Sequence, residues 1–500
     1  MRKALTAVVA VALCASVVSP ANAADLSDRG GTDRSVVRTD KGVVRGTVTG
    51  TERTFGSIPF AAPPVGENRW RDPQPAAAWQ GVRDATTPAP MCAQTPELGG
   101  QPSLVEDCLY LNVTTPAADT RTPRPVMVWI HGGSFVSGGA SMYDARWLAT
   151  KNDAVVVTVN YRLGVFGFFG YPGLPGSGTF GLADQQAALK WVQRNARAFG
   201  GDARNVTVFG ESAGALSICA QLASPRAAGL FTKAIMQSGP CGVQAPAEPG
   251  TFETLWKPRA VVEQSGVGTA GCADLACLRA LPVDTLLTVH EQFSTPAFDT
   301  AVLPIDPVVA QRTGRMHRVP SLVGTTHDEM TLFMPQVFPQ PIPEAAYGQA
   351  LAGLFTTNAE KVAARYPVNG NGDARDEIAR LLTDKLWSCT AQTTRDELRG
   401  RVSGYEFAQK DVPMFFPGLP EFPGGYGAFH ASEIPLLFEF PGLPLTAGQR
   451  ELSDYMIAAW GRFARTGDPG WRAGVQSLKA GAIGPADFRR DHQCGFWATM

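Results

Sequence analysis

The segment Gly210–Gly214 (sequence GESAG) carries the residue types best suited to chemistry in this chain. It follows the apolar run Val206–Phe209, which is typical of a buried strand, and leads into Ala215–Ile218, which is typical of a helix start. A strand that enters a helix through so few residues must turn sharply, and the two glycines let strand and helix approach closely. We therefore expect Ser212, at the apex, to present its hydroxyl as a nucleophile above a sheet.

A serine hydroxyl needs a general base, and that base needs a carboxylate to orient it. In proteins with this turn the serine comes first in the chain, then the acid, then the histidine. Of the six histidines, His430 in the loop 427–433 is the candidate base, because that loop contains glycine and follows the predicted strand Val402–Phe407. His131 is interpreted as structural, His290 and His317 as surface residues, and His327 as too close in sequence to the candidate acids. His492 lies near the C-terminus beside charged residues.

Two candidate acids, Asp328 and Glu329, follow the predicted strand Ser321–Gly324. Catalytic groups of open α/β sheets come from the carboxyl ends of such strands, so either residue is suitable. Attack by Ser212 creates an oxyanion, which backbone N–H groups must stabilise. The N–H of Ala213 and those of the turn Gly132-Gly133-Ser134 are the candidates.

The surrounding elements predict an α/β fold with a mainly parallel sheet. Apolar runs without alternation indicate strands covered on both faces, and they alternate along the chain with helical segments. Beside Val206–Phe209, the predicted strands are 107–113, 125–130, 154–159, 234–236, 321–324 and 402–407, and the predicted helices are 182–199 and 452–463. Residues 35–50 predict an N-terminal β-hairpin, and residues 24–500 are predicted to form a single domain.

The N-terminal segment and the composition indicate where the protein acts and which partners it has. Residues 1–23 have a basic start, an apolar stretch and an Ala-Asn-Ala cleavage site, so they predict a signal peptide and a secreted protein. No later run predicts an integral membrane segment. The 44 basic and 45 acidic residues give a net charge of −1, which does not favour a nucleic-acid partner. Eight cysteines follow the signal peptide, and an even number in an exported chain favours disulfides over metal ligands.

Several long motifs, in order, resemble the type-B carboxylesterases, the family that includes the cholinesterases. They are 58–71 (IPFAAPPVGENRWR), 106–113 (EDCLYLNV), 128–138 (VWIHGGSFVSG), 160–168 (NYRLGVFGF), 181–214 and Gln237-Ser238-Gly239. The resemblance runs from about Gly42 to Trp497 and implies an α/β-hydrolase fold with helices on both faces of the sheet.

The resemblance also implies specific roles. The family's acid motif falls on 324–329 and selects Glu329, although Met330 replaces its final glycine, and the family's His-x-x-Glu pattern falls on His430 and Glu433. Gly133, Ser134 and Ala213 correspond to the oxyanion amides. Glu211 and Ser238 are expected beside the triad, with Ser238 holding the acid. The implied disulfides are Cys92–Cys108, Cys272–Cys277 and Cys389–Cys494, and Cys219–Cys241 remains as a pair by elimination.

These features predict a serine carboxylesterase that hydrolyses small-molecule esters through an acyl-enzyme, without cofactor or metal. An inactive adhesion or scaffold relative and hydrolysis of amides, lactones or polyesters are the alternatives. Between Cys92 and Cys108 there is no aromatic residue, so a choline cation would have no ring to bind and cholinesterase activity is not expected. The segment Pro413–Phe440, rich in Phe and Pro, is either a wall of the substrate pocket or plain core.

Overall fold

A long central sheet carries the candidate residues, and its middle strands run parallel. The computed structural model describes residues 33–96, 101–472 and 474–500, so the predicted signal peptide lies outside the described residues. Within these ranges the strands are β1 (Val36–Arg38), β2 (Val43–Arg45), β3 (Thr47–Val48), β4 (Glu52–Pro59), β5 (Val82–Asp84), β6 (Tyr110–Pro116), β7 (Arg124–Ile130), β8 (Val155–Val159), β9 (Gly201–Glu211), β10 (Lys233–Gln237), β11 (Gln244–Pro246), β12 (Phe252–Thr254), β13 (Lys257–Pro258), β14 (Ala297–Phe298), β15 (Ser321–Thr326), β16 (Val402–Phe407), β17 (Val475–Leu478) and β18 (Gly484–Ala486).

The α-helices lie mostly between these strands. They are α1 (Arg146–Asn152), α2 (Gly164–Phe168), α3 (Phe180–Asn195), α4 (Ala213–Ala223), α5 (Arg259–Ser265), α6 (Leu275–Ala280), α7 (Val283–Leu287), α8 (Pro307–Arg312), α9 (Met334–Val337), α10 (Tyr347–Phe355), α11 (Ala359–Arg365), α12 (Arg375–Leu382), α13 (Cys389–Glu397), α14 (Ile434–Leu437), α15 (Ala447–Thr466), α16 (Phe488–Asp491) and α17 (Cys494–Trp497). A π-helical stretch, Thr383–Ser388, connects α12 to α13. None of the helices among the described residues is both long and apolar enough to span a bilayer.

The central sheet has the strand order β18-β17-β16-β15-β10-β9-β7-β8-β6-β4-β3. Every neighbouring pair from β17 to β8 is parallel, and the pairs at both ends are antiparallel. The predicted N-terminal hairpin is confirmed, because β1 and β2 pair antiparallel with Val37 opposite Val44. Parallel central strands place their carboxyl ends at one edge, which is where β7, β9, β15 and β16 deliver the candidate residues.

Both faces of the sheet are covered, as continuous apolar strands predict. Along β7, Val126, Val128 and Ile130 pack into one core with residues of α3 and α4. The alternate residues Met127 and Trp129 pack into a second core with α1 and α15. The described residues from Ser35 onward form one compact unit. This arrangement confirms the predicted α/β fold with helices on both faces.

Element boundaries match the predictions closely where the pattern is strong. Strand β16 spans the predicted residues 402–407, and β7 begins one residue before the predicted start. Strand β6 begins at Tyr110, three residues later than predicted. Helix α15 begins at Ala447, five residues before the predicted start, because Thr446 and Gln449 form a reciprocal capping box there.

Candidate active site

Ser212 occupies the turn between β9 and α4, as the sequence predicts. Its backbone is in the left-handed region, with φ 54° and ψ −123°, a conformation that costs a non-glycine residue about 1–3 kcal/mol. Its N–H donates to the carbonyl of Gln237 on β10 at 2.9 Å, which ties the turn to the neighbouring strand. The side chain lines a pocket with His430 and the 132–134 turn. Ser212 is therefore held in a strained conformation at the edge of a cavity.

The two glycines of the motif are required by close contact with β7. A Cβ atom on Gly210 would lie 2.6 Å from the carbonyl oxygen of Ile130, and one on Gly214 would lie 2.0 Å from the same atom. Both distances are far below van der Waals contact. The strand before Ser212 and the helix after it therefore both contact the last residue of β7.

The turn that follows β7 lies beside Ser212. Gly133 and Ser134 have positive φ angles of 102° and 53°, and both line the Ser212 pocket. A Cβ atom on Gly133 would lie 2.3 Å from the Ser137 carbonyl oxygen, so that position admits only glycine. Ala213 is the first residue of α4, and the first N–H groups of a helix have no partner within it. Two of the three predicted oxyanion residues, Gly133 and Ser134, therefore line the Ser212 pocket, and the third, Ala213, follows Ser212 directly.

His430 and Glu329 form the shortest contact in the site. His430 Nδ1 lies 2.6 Å from Glu329 Oε2, and both side chains are buried. The other carboxylate oxygen accepts the N–H of Thr326 at 2.9 Å, which fixes the carboxylate at the end of β15. Glu329 therefore holds the imidazole through Nδ1, while Nε2 has no aligned hydrogen bond among the described residues.

The choice between the two candidate acids follows from their contacts. Asp328 Oδ2 accepts the N–H of Ala428 at 2.8 Å and so braces the loop that leads to His430. Asp328 is thus a loop-holding residue, whereas Glu329 contacts the imidazole directly.

Two further buried carboxylates surround the histidine. Glu211 Oε1 lies 3.0 Å from His430 Nε2, although this contact lacks hydrogen-bond alignment. Glu433 accepts from Gln237 Nε2 at 3.2 Å. Burial raises the pKa of both Glu211 and Glu433. Burial alone would lower the pKa of His430, but the charges of Glu211 and Glu329 outweigh it and raise that pKa.

The expected hydrogen bond from Ser238 to the acid is not formed. Ser238 Oγ is buried and has no hydrogen-bond partner among the described residues. Instead the backbone N–H of Ser238 donates to the Gly324 carbonyl at 2.8 Å, and the N–H of Thr326 holds Glu329. The prediction for Ser238 was wrong because a backbone donor next to the acid already fills that role.

The pocket above Ser212 has a volume of about 330 Å³ and mainly apolar walls. Phe415, Phe416 and Phe440, all from the segment Pro413–Phe440, line it. Phe429 and Phe438 of the same segment are buried in the protein interior. The segment is therefore both pocket wall and core, and the two interpretations of the sequence each hold for part of it.

Sequence reasoning missed two aromatic residues that hold the imidazole in place. The rings of Phe333 and Trp387 lie 4.9 and 4.8 Å from the ring of His430. Phe333 also lines the pocket. Phe333 follows Glu329 by only four residues, which is a signal that could have found it, whereas Trp387 lies in the π-helical stretch, for which the sequence offers no pattern.

The other histidines are mostly structural, and two were misjudged. His131 Nδ1 bonds to the Gly132 carbonyl at 2.8 Å, and burial lowers its pKa to about 4. His290 was predicted at the surface but is buried, with Nε2 on the Val136 carbonyl at 2.7 Å. His317 was also predicted at the surface but is half-buried against the Ser224 carbonyl. Partners from distant parts of the chain make their burial possible.

The eight cysteines after the predicted signal peptide form four disulfides. They are Cys92–Cys108, Cys219–Cys241, Cys272–Cys277 and Cys389–Cys494. The Cys219–Cys241 bond joins α4, the helix behind Ser212, to the segment after β10. These are the pairs that the resemblance and elimination predict.

Comparison with known proteins adds an independent line of evidence. The model of the carboxylesterase family matches residues 33–480. Over 467 residues the chain is 37% identical to the para-nitrobenzyl esterase of Bacillus subtilis (strain 168), covering 88% of this chain and 91% of that protein. Over 476 residues it is 36% identical to the fumonisin B1 esterase of Sphingopyxis macrogoltabida, covering 87% and 83% respectively.

A mammalian relative is similar over a comparable length. The chain is 32% identical over 494 residues to the liver carboxylesterase B-1 of Rattus norvegicus, covering 87% of each chain. The residues matched by the family model contain the strands β1 to β17 and the residues Ser212, Glu329 and His430. The chain belongs to the carboxylesterase family, with its α/β-hydrolase fold, and is a carboxylic-ester hydrolase.

Proposed function

We propose that the chain hydrolyses esters through a Ser212–His430–Glu329 triad and an acyl-enzyme. The observation that carries this proposal is the 2.6 Å contact between Glu329 and His430 Nδ1 beside a pocket that Ser212 lines. His430 Nε2 takes the proton of Ser212 as Oγ attacks the ester carbonyl. The N–H groups of Gly133, Ser134 and Ala213 stabilise the oxyanion.

The second half of the reaction uses the same groups in reverse. His430 first gives its proton to the leaving alcohol, which completes the acyl-enzyme. It then takes a proton from the attacking water and returns it to Ser212 Oγ as the acyl–Oγ bond breaks and the carboxylic acid leaves. Glu329 keeps the imidazole oriented and stabilises its charged form in both steps. All of these groups belong to the chain itself.

The Ser212→Ala variant tests the assignment. We expect it to fold normally and to lose measurable hydrolysis of p-nitrophenyl esters, with a Ser217→Ala variant on the same helix as the control for expression. A burst of p-nitrophenol in the wild type would report the acyl-enzyme, and its absence from Ser212→Ala would link it to this residue. Turnover retained by Ser212→Ala would overturn the proposal.

The substrate class follows from the pocket rather than from the triad. The aromatic walls and a volume of about 330 Å³ favour esters with an apolar acyl or aromatic alcohol group of moderate size. A panel of esters that varies each group separately, with an amide, a lactone and a polyester as comparisons, tests this choice. Faster turnover of any of those three than of every simple ester would assign a different bond.

We also propose that the protein is exported and acts as one domain after loss of residues 1–23. The basic and apolar start of the chain and four disulfides in the described part support export. Expression with the native N-terminus in a secreting bacterium, followed by N-terminal sequencing, tests this. A mature protein that begins near Ala24 supports export, and retention of Met1 in the cytoplasm contradicts it.

A further inference from the structure

A second group of histidines and carboxylates lies outside the Ser212 pocket. We call His327, Glu406, His492 and Asp384 the C-terminal histidine cluster. His327 Nδ1 and His492 Nε2 lie 2.6 and 2.7 Å from the same oxygen, Glu406 Oε1. His492 Nδ1 lies 2.6 Å from Asp384 Oδ1. Ester hydrolysis at Ser212 uses none of these side chains.

The fold brings these residues together from four distant segments. Strands β15 and β16 pair in parallel, and the N–H of His327, just after β15, donates to the Phe407 carbonyl at 2.9 Å. Glu406 is the penultimate residue of β16, so its carboxylate meets His327 at the carboxyl ends of the two strands. His492 follows α16, and Asp384 lies in the π-helical stretch between α12 and α13.

The donor set has the composition of a zinc site. One nitrogen from each of two imidazoles and one carboxylate oxygen all lie within 4.8 Å of one another. Two histidines and one glutamate, with a fourth position for water, are a known ligand set for Zn²⁺. The histidine that ligates a metal usually donates its other N–H to a carboxylate, and Asp384 is placed to accept that hydrogen from His492.

The surroundings provide access and charge. A cavity of about 320 Å³ opens beside the cluster, and His327, His492 and Asp384 line it. Its other charged lining residues are Asp328, Asp376, Glu377, Asp491, Arg380 and Lys410. Carboxylates thus outnumber Lys and Arg among the residues that line this cavity. The side chain of His327 is 38% exposed, whereas those of Glu406 and His492 are almost fully buried.

We propose that His327, Glu406 and His492 bind one divalent transition-metal cation of the zinc class, with water from the cavity as the fourth ligand. The cation takes the place of the two N–H protons that His327 and His492 now direct at Glu406. These nitrogens give up their protons to solvent and coordinate the cation together with a Glu406 carboxylate oxygen. Such a site links the segment after α16 to the residue two positions before Glu329. Its role is therefore to stabilise this part of the fold, and it takes no part in the ester chemistry.

Direct binding to the whole, tag-free protein tests the proposal. Chelator-treated protein is titrated with ZnCl₂ by calorimetry in mildly alkaline buffer, and with CoCl₂ by visible absorption, which reports a four-coordinate nitrogen and oxygen site. We expect one cation per chain and a higher melting temperature with Zn²⁺. No stoichiometric binding in the wild type would overturn the proposal.

His327→Gln and His317→Gln are matched variants. His317 is also a half-buried histidine, but its Nε2 bonds to a backbone carbonyl and it is not a member of the cluster. We expect His327→Gln to weaken Zn²⁺ binding at least about 10-fold and to abolish the Co²⁺ absorption band, while His317→Gln binds as the wild type does. Equal affinity in both variants would show binding elsewhere and overturn the proposal. Asp384→Asn keeps an oxygen that can accept from His492 but removes its negative charge, and we expect it to weaken Zn²⁺ binding by about 10–100-fold. Unchanged affinity would count against the site.

Discussion

His430 and His492 are both buried between two carboxylates, yet their surroundings differ. His430 contacts Glu329 through Nδ1, and it lines the apolar pocket that Ser212, the proposed nucleophile, also lines. His492 contacts Asp384 and Glu406 through its two nitrogens, and its cavity is lined by charged side chains. The neighbouring carboxylates outweigh burial and raise the pKa of both histidines.

The difference teaches that burial and a raised pKa do not identify a general base. What distinguishes His430 is a nitrogen without an aligned hydrogen bond beside a strained serine. What distinguishes His492 is full satisfaction of its hydrogen bonds, which is typical of a structural or ligand-binding histidine. The following predictions test how far this distinction holds.

The largest expected effect separates the two histidines directly. We expect His430→Gln to lower kcat/KM for a p-nitrophenyl ester by about 10⁴-fold, because the base is lost while oxyanion stabilisation remains. His492→Gln should instead lower the free energy of unfolding by about 3 kcal/mol, since two buried carboxylates lose their partner. Ester kinetics and denaturant unfolding of both variants measure this. Comparable kinetic losses in the two variants would remove the distinction.

The C-terminal disulfide is expected to stabilise the fold without contributing to the chemistry. Cys389–Cys494 spans 105 residues and lies next to His492, so replacing both cysteines with alanine should cost about 4.7 kcal/mol in the chain-entropy model. The Cys272–Cys277 pair spans five residues and should cost only about 2 kcal/mol, which makes it the matched control. Chemical denaturation measures both. An equal loss in the two variants would contradict the loop-length argument.

We expect the apolar pocket above Ser212 to control substrate choice, and the charged cavity beside the C-terminal histidine cluster to have little effect on it. We expect Phe440→Ala to enlarge the Ser212 pocket and to change the ratio of kcat/KM between short and bulky esters by about 10–200-fold, in favour of the bulky ones. Phe422→Ala, which alters the lining of the charged cavity, is the comparison. A larger change of preference in Phe422→Ala would place the substrate elsewhere.

The smallest predicted effect concerns pH. His430 must be neutral to act as base, so kcat/KM falls as pH drops through its pKa, which Glu211 and Glu329 raise. Glu211→Gln removes one of these charges, lowers that pKa and moves the acid limb of the pH profile to lower pH by about 1 unit, equivalent to about 1.4 kcal/mol. Glu360→Gln, which removes an exposed carboxylate on α11, should leave the profile in place. A shift of the Glu211→Gln acid limb to higher pH would contradict the assignment.

Local patterns predicted the parts of the fold that depend on neighbouring residues. Strands such as β7 and β16 follow from short apolar or β-branched runs, and the Ser212 turn follows from two glycines at fixed spacing. The burial of His290 and His492 was not predictable in this way. Each depends on a hydrogen-bond acceptor more than 80 residues away, Val136 for His290 and Asp384 or Glu406 for His492.

The resemblance to a family extended the prediction from the turn to the triad. It selected Glu329 over Asp328, which the residues alone did not separate, and the contact with His430 agrees with that choice. It did not give the bond that holds the acid, because the donor is the backbone N–H of Thr326 and any residue there supplies one. Backbone donors leave no signature in side-chain types.

The position of the Ile130 carbonyl group limits the substitutions that the enzyme can accept near Ser212. Gly210 and Gly214 both touch it, and the turn with Gly133 and Ser134 begins right after it. A larger residue at either glycine would push the end of β7, and with it the oxyanion donors, as well as moving Ser212. The proposed nucleophile and the proposed oxyanion donors are thus positioned against one shared atom, so a substitution at either glycine would displace both. We expect changes of substrate preference to come more readily from the aromatic residues of the pocket wall.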